Sequence, residues 1–210
     1  MNILAIDTCG EGLSLAVGGA GRRCRQRRLR TRKADERIFP TLRVLLKGAG
    51  LGLRDLDAVV AANGPGRFTG IRIGMTFARM LGDSLGVPVA AVSRFAALAA
   101  AEKKPVRRCL VLPAGRGDIY LQVFTPGRDG RPQPAGAPRW HAQAEGEAEL
   151  ARLTKADGVL VTRYEFDRGG PLFPASLLLK AAREKLAAGA AGAFRPLYLR
   201  LANYELKRGR

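Results

Sequence analysis

The hydrophobic and polar positions at the start of the chain follow the pattern of a β-hairpin. Asn2–Asp7 is a short apolar run that ends in an acid, and Leu13–Gly18 is a second apolar run. The residues between them include two glycines and are typical of a turn. Two short apolar runs joined by a glycine-bearing turn predict a pair of antiparallel strands.

A third strand is predicted over Arg22–Lys33, and its charge indicates where it lies. The alternation of a strand divides its arginines between two faces, with Arg23, Arg25 and Arg27 on one and Arg28, Arg30 and Arg32 on the other. Because arginines on both faces cannot be buried inside a sheet, we predict an edge strand. Charge at an edge also discourages pairing with strands of other chains.

Amphipathic helices and buried strands alternate in the following segment. Apolar residues at three- and four-residue spacing predict helices over Asp35–Ala49 and Ile71–Leu85, and Ser93 is a suitable N-cap for a third helix. Apolar runs at Ala58–Ala62 and Val87–Val92 predict the strands between them. The order β-β-β-α-β-α-β-α, a meander followed by parallel crossovers, predicts a mixed sheet.

The same kind of pattern starts again after residue 105. The predicted strands are 107–112, 119–124, 139–142 and 158–162, and the predicted helices are 145–153 and 174–188. A Gly- and Pro-rich loop is expected over 125–138, and Pro196 favours an extended tail. We therefore predict two lobes: residues 1–102, and a smaller lobe with a C-terminal tail over residues 103–210.

Charge adds a candidate chemistry to this outline. The 210 residues carry 36 Lys and Arg against 18 Asp and Glu, which gives a net charge of +18 and a pI near 11.1. A nucleic-acid partner, an acidic protein partner and a base composition that favours Arg codons are three open interpretations. The candidate RNA contacts are Arg23, Arg25, Arg27, Arg28 and Arg30. Since Arg22–Lys33 contains no aromatic residue, contact with phosphates rather than stacking on bases is expected.

Several classes of site find no support in the sequence. Three cysteines without a C-x-x-C pair and a single histidine, His141, do not support a disulfide framework, a zinc site or a clear nucleophile–base pair. The N-terminus lacks the basic region of a signal peptide, and no apolar run approaches 20 residues. We expect the chain to be cytoplasmic and to make no contact with a membrane. We also expect it to bind no metal ion and to have no catalytic residues.

A glycine-rich loop lies between the strand at 58–62 and the second helix. Its candidate residues are Gly64, Pro65, Gly66, Phe68, Thr69 and Gly70. The spacing matches neither a P-loop nor a Rossmann fingerprint. Two interpretations stay open: an anion site at a helix N-terminus, or a tight turn that needs glycine for packing.

The apolar stripes of the first two helices are broader than one contact with a sheet requires. Leu45 lies beside Leu46 in the first helix, and Met75, Phe77, Met80 and Leu81 lie close together in the second. A helix that only covers a sheet needs one apolar stripe. We therefore predict that these helices also bind a partner.

Five segments carry a family resemblance. They are ILAIDT at 3–8, DERIFP at 35–40, GPGRFTGIRIG at 64–74, AGRGDIY at 114–120 and PLYLR at 196–200. Together they resemble the TsaB (YeaZ) family, with Arg67 where the family commonly has Ser and Pro113 where it has an acid. The resemblance implies an α/β, two-lobed fold like that of acetate kinase, Hsc70 and actin (ribonuclease H-like), with mixed sheets flanked by helices.

The resemblance also implies a function. It implies a non-catalytic scaffold that binds and activates TsaD in the threonylcarbamoyl modification of adenosine beside the anticodon, in tRNAs that read codons beginning with A. The ATPase TsaE joins the complex, tRNA is bound through the complex, and ATP is used there rather than by this chain. The first two helices bind TsaD or a second copy of the chain, and the implied contacts are Ile38, Leu42, Leu45, Leu46, Met75, Ala78, Arg79 and Gly82.

Alternatives to the scaffold stay open. In folds of this type an acid at the end of the first strand lies beside phosphates and metal, so Asp7 is either such an acid or a turn residue. One alternative is an actin-like nucleotide-hydrolysing enzyme or a peptidase. Another is a basic tRNA-binding module.

Overall fold

Two mixed β-sheets with five helices make up the described part of the chain, a computed structural model that covers residues 1–19, 22–102, 104, 106–167, 170–187 and 194–200. Three predicted features extend outside these ranges: the turn at 18–21, the lobe boundary at 101–105 and the end of the last helix at Ala188. Within the described ranges, no helix is both long enough and apolar enough to cross a membrane.

The first sheet confirms the predicted hairpin, mixed sheet and edge strand. Its strands are β1 (Asn2–Asp7), β2 (Gly12–Gly19), β3 (Arg22–Arg30), β4 (Ala58–Ala62) and β5 (Val89–Val92). Their order is β3-β2-β1-β4-β5, with β1 antiparallel to β2 and parallel to β4. The arginine-rich β3 therefore lies at an edge, where its charged side chains reach solvent.

Three helices follow in this half: α1 (Ala34–Ala49), α2 (Phe68–Leu85) and α3 (Arg94–Ala101). The Ser93 hydroxyl accepts a hydrogen bond from the Ala96 amide at 3.0 Å, which confirms the predicted N-cap. Both α1 and α2 end at a left-handed glycine, Gly50 and Gly86, each with φ of 66°. The second helix starts at Phe68, before the predicted Ile71, because the end of the glycine loop is already its first turn.

Helices cover both faces of the first sheet. The α1 and α2 helices pack on one face. The other face is covered by a short 3-10 turn at Ala175–Leu177 and by α5 (Leu178–Ala187), which also packs on α3. Because α5 comes from the predicted second lobe and packs on the first sheet, the lobe boundary near residue 102 stays a prediction.

The second sheet is smaller. Its strands are β6 (Arg108–Gly115), β7 (Asp118–Pro126), β8 (Pro132–Pro134), β9 (Arg139–His141) and β10 (Leu160–Arg163). Their order is β10-β6-β7-β8, and β9 also pairs with β7. The predicted loop at 125–138 thus contains a short strand. The helix on this sheet, α4 (Gln143–Asp157), is longer than the predicted 145–153.

Alternate residues of β6 and β7 point into two different cores. One set packs in the same hydrophobic core as the residues of the first sheet: Leu110, Leu112, Tyr120 and Phe124. The other set packs against α4 in a separate cluster: Cys109, Val111, Ile119 and Leu121. The two sheets therefore share one hydrophobic core on the side that faces away from α4.

Candidate functional site

A buried network of charges lies at the end of β1. The side chains of Asp7 and Arg94 are almost fully buried, with exposed fractions of 2% and 4% for the two residues. Arg94 Nη2 donates to Asp7 Oδ1 at 2.6 Å, and its Nε donates to Asp7 Oδ2 at 2.8 Å. Arg94 Nη1 reaches Asp167 Oδ2 at 3.0 Å. One guanidinium thus joins two carboxylates from distant parts of the chain.

The surroundings keep Arg94 charged. Burial alone would lower the pKa of Arg94, but the neighbouring carboxylates, Asp7 first, outweigh burial and raise that pKa above its ordinary value. The guanidinium also lies 4.8 Å from the ring centre of Phe173. Asp167 in turn accepts the Glu11 amide at 3.2 Å. The network therefore connects β1, the start of α3 and the segment after β10.

This arrangement does not fit a metal-bound phosphate at Asp7. Both carboxylate oxygens already accept hydrogen bonds from Arg94, and the guanidinium places a positive charge where a metal ion would have to approach. Among the described residues, no group of three or more His, Cys, Asp or Glu could ligate a metal ion. Of the two interpretations of Asp7, the geometry favours a structural acid with its own counter-ion.

The glycine loop packs directly against the turn of the first hairpin. The Arg67 amide donates to the Cys9 carbonyl at 2.7 Å, and the Thr8 hydroxyl donates to the Gly70 carbonyl at 2.6 Å. A Cβ atom at Gly66 would overlap the Cys9 carbonyl oxygen, and one at Gly70 would overlap the Thr8 carbonyl oxygen. Close approach of two backbones explains these two glycines. Anion binding by the loop stays a prediction.

The residues predicted to bind a partner mostly lie in the core, and this corrects the face assigned to the helices. The side chains that pack inward are those of Ile38, Leu42, Leu45, Leu46, Met75 and Ala78. Gly82 is also buried, because Val89 packs against it. The stripes are broad because α1 and α2 cover a five-stranded sheet and also touch each other. Of the eight predicted contacts only Arg79 is exposed, and it pairs with Asp83 at 3.0 Å.

The exposed side of α2 forms a cleft with the C-terminal segment. The cleft has a volume of about 480 Å³ and is lined by Thr76 and Met80 of the helix and by Phe194, Pro196 and Tyr198 of the segment, among others. Met80 is 53% exposed and lies beside the apolar side chains of Phe194 and Pro196 in the same cleft. The segment is attached through the Leu197 amide, which donates to the Asn63 carbonyl at 2.7 Å. An apolar surface beside an anchored segment is suited to binding another protein.

The candidate RNA contacts on β3 separate into two groups. Arg28 donates to the Leu172 carbonyl at 3.3 Å, and Arg30 forms an ion pair with Glu11 at 2.7 Å. These two side chains therefore interact within the chain. Arg23, Arg25 and Arg27 are exposed on the side of α1.

Comparisons with known proteins identify relatives of this chain. The family model described as "TsaD: tRNA N6-adenosine threonylcarbamoyltransferase" matches residues 28–132, half of the chain. The tRNA threonylcarbamoyladenosine biosynthesis protein TsaB of Escherichia coli is 33% identical over 153 residues, which cover 71% of this chain and 62% of that protein. The structure of YeaZ from Pseudomonas aeruginosa superposes with a TM-score of 0.72 at 27% identity, over 94% of this chain and 99% of that one. The chain belongs to the TsaB (YeaZ) family. Its fold is accordingly the two-lobed, actin-like type that the sequence predicts.

The similarity to curated members of the family is partial. The TsaB of Bacillus subtilis is 38% identical over 128 residues, which cover 59% of this chain and 55% of that protein. For the TsaB of Haemophilus influenzae the identity is 36% over 101 residues, or 48% and 43% of the two chains. The chain thus spans about half of the length of these relatives. Another solved structure from Pseudomonas aeruginosa, with a TM-score of 0.71 and 27% identity over 95% of this chain and 99% of that one, is described as similar to peptidase YEAZ.

Sequence reasoning did not find Arg94 or Asp167. A signal for Arg94 was available, because β1 and β5 point in the same direction and Asp7 and Arg94 come at or just after their carboxyl ends. Opposite charges at one edge of a sheet are candidates for an ion pair. Asp167 follows β10 of the second sheet, and no pattern in the sequence predicts that its side chain contacts Arg94 beside the first sheet.

Proposed function

We propose that this chain is a non-catalytic scaffold subunit in the threonylcarbamoyl modification of adenosine beside the anticodon, in tRNAs that read codons beginning with A. Its curated relatives are named for threonylcarbamoyladenosine biosynthesis, and a family model of the transferase matches half of the chain. In this proposal a TsaD-like subunit transfers the threonylcarbamoyl group. The present chain binds that subunit and keeps it in an active arrangement.

The observation that carries the non-catalytic role is the ion pair between Asp7 and Arg94. An acid that binds a metal ion must offer its oxygens to that ion, and both oxygens of Asp7 are directed to a buried guanidinium. Breaking a buried pair to admit a ligand would leave an uncompensated charge, which is costly. ATP is therefore used by other members of the complex, among them a TsaE-like ATPase.

The surface proposed for the TsaD-like subunit is the exposed side of α2. Apolar side chains at the centre of an interface contribute most of its binding energy when they become fully desolvated. Met80 has this character, and Thr76 lies one helical turn before it in the same cleft. A homodimer through the same helices would compete with the TsaD-like subunit for this surface.

The test is to mix the chain with the TsaD-like subunit of the same organism and to measure the complex by sedimentation. A Met80→Asp substitution should weaken the complex by roughly 30-fold or more, because it places a charge in an apolar contact. Leu160→Asp is the matched control, since Leu160 is 52% exposed and lies on the second sheet. It should leave the complex unchanged.

Two results would contradict the proposal in different ways. A complex that survives Met80→Asp together with Thr76→Arg would place the partner on another surface. Nucleotide or peptide hydrolysis by the purified chain alone would favour the enzyme alternatives. Met80, Thr76 and Leu160 are all exposed, so a thermal melt should show that each variant remains folded.

A further inference from the structure

A row of arginines lies along the α1 side of the edge strand β3. Arg25 and Arg27 line an open cleft of about 400 Å³ together with Val44 and Gly48 of α1, and Arg28 also borders it. Arg23 and Arg25 line an adjoining cleft of about 190 Å³. Arg25 borders both clefts, and we call the two clefts together the basic trough.

The helix beside the trough adds positive charge. Val44 and Gly48 line the trough one turn apart, and Arg43 and Lys47 occupy the neighbouring row of the same helix, both exposed. The described residues that line the two clefts include no acid. The charged side chains that line the trough are therefore all positive and attract anions, and Asp57, which accepts a hydrogen bond from the Asn2 amide, lies at its border.

The other face of the same strand shows that arginines of β3 readily find internal partners where acids or carbonyl groups are near. Arg30 pairs with Glu11, and Arg28 donates to the Leu172 carbonyl. For Arg23, Arg25 and Arg27, no ion pair occurs with any residue that the structure describes. These three guanidinium groups consequently remain available to a ligand from outside the chain.

We propose that the basic trough binds the phosphate backbone of RNA. Alternate residues of a strand lie about 7 Å apart, so the arginines present a line of charge rather than a pocket. A line of charge is complementary to a polyanion, and the planar guanidinium pairs with phosphate oxygens through two parallel hydrogen bonds. Because β3 has no aromatic side chain, binding depends on the backbone and little on base sequence.

This inference adds a ligand to the chain and does not depend on the proposed TsaD-like partner. Its test therefore uses the isolated full chain and total tRNA of the same organism, labelled for fluorescence anisotropy. Three phosphate contacts predict that affinity falls by about 20-fold between 50 and 200 mM salt. An affinity that does not change with salt would overturn the proposal.

The decisive variant is Arg25→Glu with Arg27→Glu. It should weaken tRNA binding at least tenfold, because it removes two contacts and adds repulsion. The matched control is Arg128→Glu with Arg131→Glu, which makes the same change of net charge at exposed positions of the loop between β7 and β8, where Arg131 pairs with Asp129. The proposal is overturned if the control weakens binding as much as the trough variant does.

A second pair of measurements keeps the inference falsifiable if the charge reversal disturbs folding. Arg25→Lys with Arg27→Lys keeps both charges and should bind tRNA more tightly than Arg25→Gln with Arg27→Gln, although it gives up the paired hydrogen bonds of the guanidinium. Polyglutamate of matched charge should compete poorly with tRNA if phosphate geometry matters. Competition as strong as that of unlabelled tRNA would point to an acidic protein partner instead and would overturn RNA as the ligand.

Discussion

The two sheets of this protein contain the same arrangement of three strands, but the ion pair at the hairpin is buried in the first sheet and partly exposed in the second. In each sheet a hairpin, β1–β2 or β6–β7, has its first strand paired in parallel with a later strand, β4 or β10. In the first hairpin the charge of Asp7 is buried and compensated by Arg94. In the second, Asp118 pairs with Arg200 at 3.3 Å, and the arginine is about one-third exposed.

The difference shows where the fold depends on a specific ion pair. A fully buried ion pair has no water to replace a lost partner, whereas the second pair, whose side chains are 32% (Arg200) and 13% (Asp118) exposed, can be partly rehydrated. The first hairpin should therefore respond strongly to substitutions that the second tolerates. Three predictions test this comparison.

The largest effect is expected from Arg94→Met. Removing the guanidinium leaves Asp7 and Asp167 buried without their counter-ion, which should cost about 3–5 kcal/mol of unfolding free energy. For a chain of this size the melting temperature should fall by roughly 6–20 °C. Thermal unfolding followed by circular dichroism measures this change.

Arg200→Met is the matched control for this experiment. It removes the partner of Asp118 and the contact with the Trp140 ring, and it should cost only about 1 kcal/mol. Adding Asp7→Asn to Arg94→Met should recover part of the loss, since one uncompensated charge disappears. If Arg94→Met and Arg200→Met lower the free energy of unfolding equally, the two hairpins do not differ in their dependence on an ion pair.

A smaller effect is expected from Gly70→Ala in the loop that contacts the first turn. The new Cβ atom would overlap the Thr8 carbonyl oxygen, and neither backbone can move without disturbing the hairpin. We expect a loss of about 2 kcal/mol in urea unfolding, even though alanine favours helices. The same substitution at Gly48, where no atom lies within 4 Å of the new Cβ, should stabilise α1 by about 0.5–1 kcal/mol.

The turn of the second hairpin completes this test. Gly115 has φ of 98°, and a Cβ atom there meets no neighbour. Gly115→Asn should therefore cost about 1 kcal/mol from backbone strain alone, less than Gly70→Ala, because asparagine tolerates positive φ better than most residues although 98° lies beyond the usual left-handed range. A loss at Gly115 as large as that at Gly70 would show that packing is not what distinguishes the two turns.

Local patterns in the sequence predicted the elements of the first sheet well. The hairpin, the strand at Ala58–Ala62 and the Ser93 cap depend on neighbours in the chain, and the edge position of β3 follows from arginines that no sheet interior accepts. The fold type followed from motifs that resemble a family. These features need no knowledge of distant contacts.

The candidate site was harder to predict because it depends on residues far apart in sequence. Asp7 is 87 positions from Arg94, and Arg94 is 73 positions from Asp167. The broad apolar stripes of α1 and α2 were interpreted as a partner surface, but helix–helix and helix–sheet contacts within the chain bury most of their side chains and leave Met80 exposed. Periodicity identifies the buried face of a helix without revealing whether its neighbour belongs to the same chain.

The smallest effect concerns a surface network on the second sheet. The Glu149 carboxylate accepts hydrogen bonds from Arg152 at 2.8 Å and from Arg139 at 2.7 Å. These hydrogen bonds lower the pKa of Glu149 to about 2, and the bond from Arg152 has the larger effect. Glu149→Gln should cost on the order of 0.5 kcal/mol at neutral pH after allowance for screening by solvent. Because the folded-state pKa lies below the ordinary value, this stabilisation is complete above about pH 4.5 and is lost as the pH falls toward 2.

Urea unfolding of the wild type and of Glu149→Gln at pH 7, 4.5 and 3 measures this difference. The two curves should converge as the pH falls, and high salt at pH 7 should bring them together as well, because both partners of Glu149 are about half exposed. A difference that grows on acidification would mean that the glutamate is stabilised as the neutral acid, opposite to the expected sign. A difference as large as that of Arg94→Met would show that the second sheet depends on its ion pairs as much as the first.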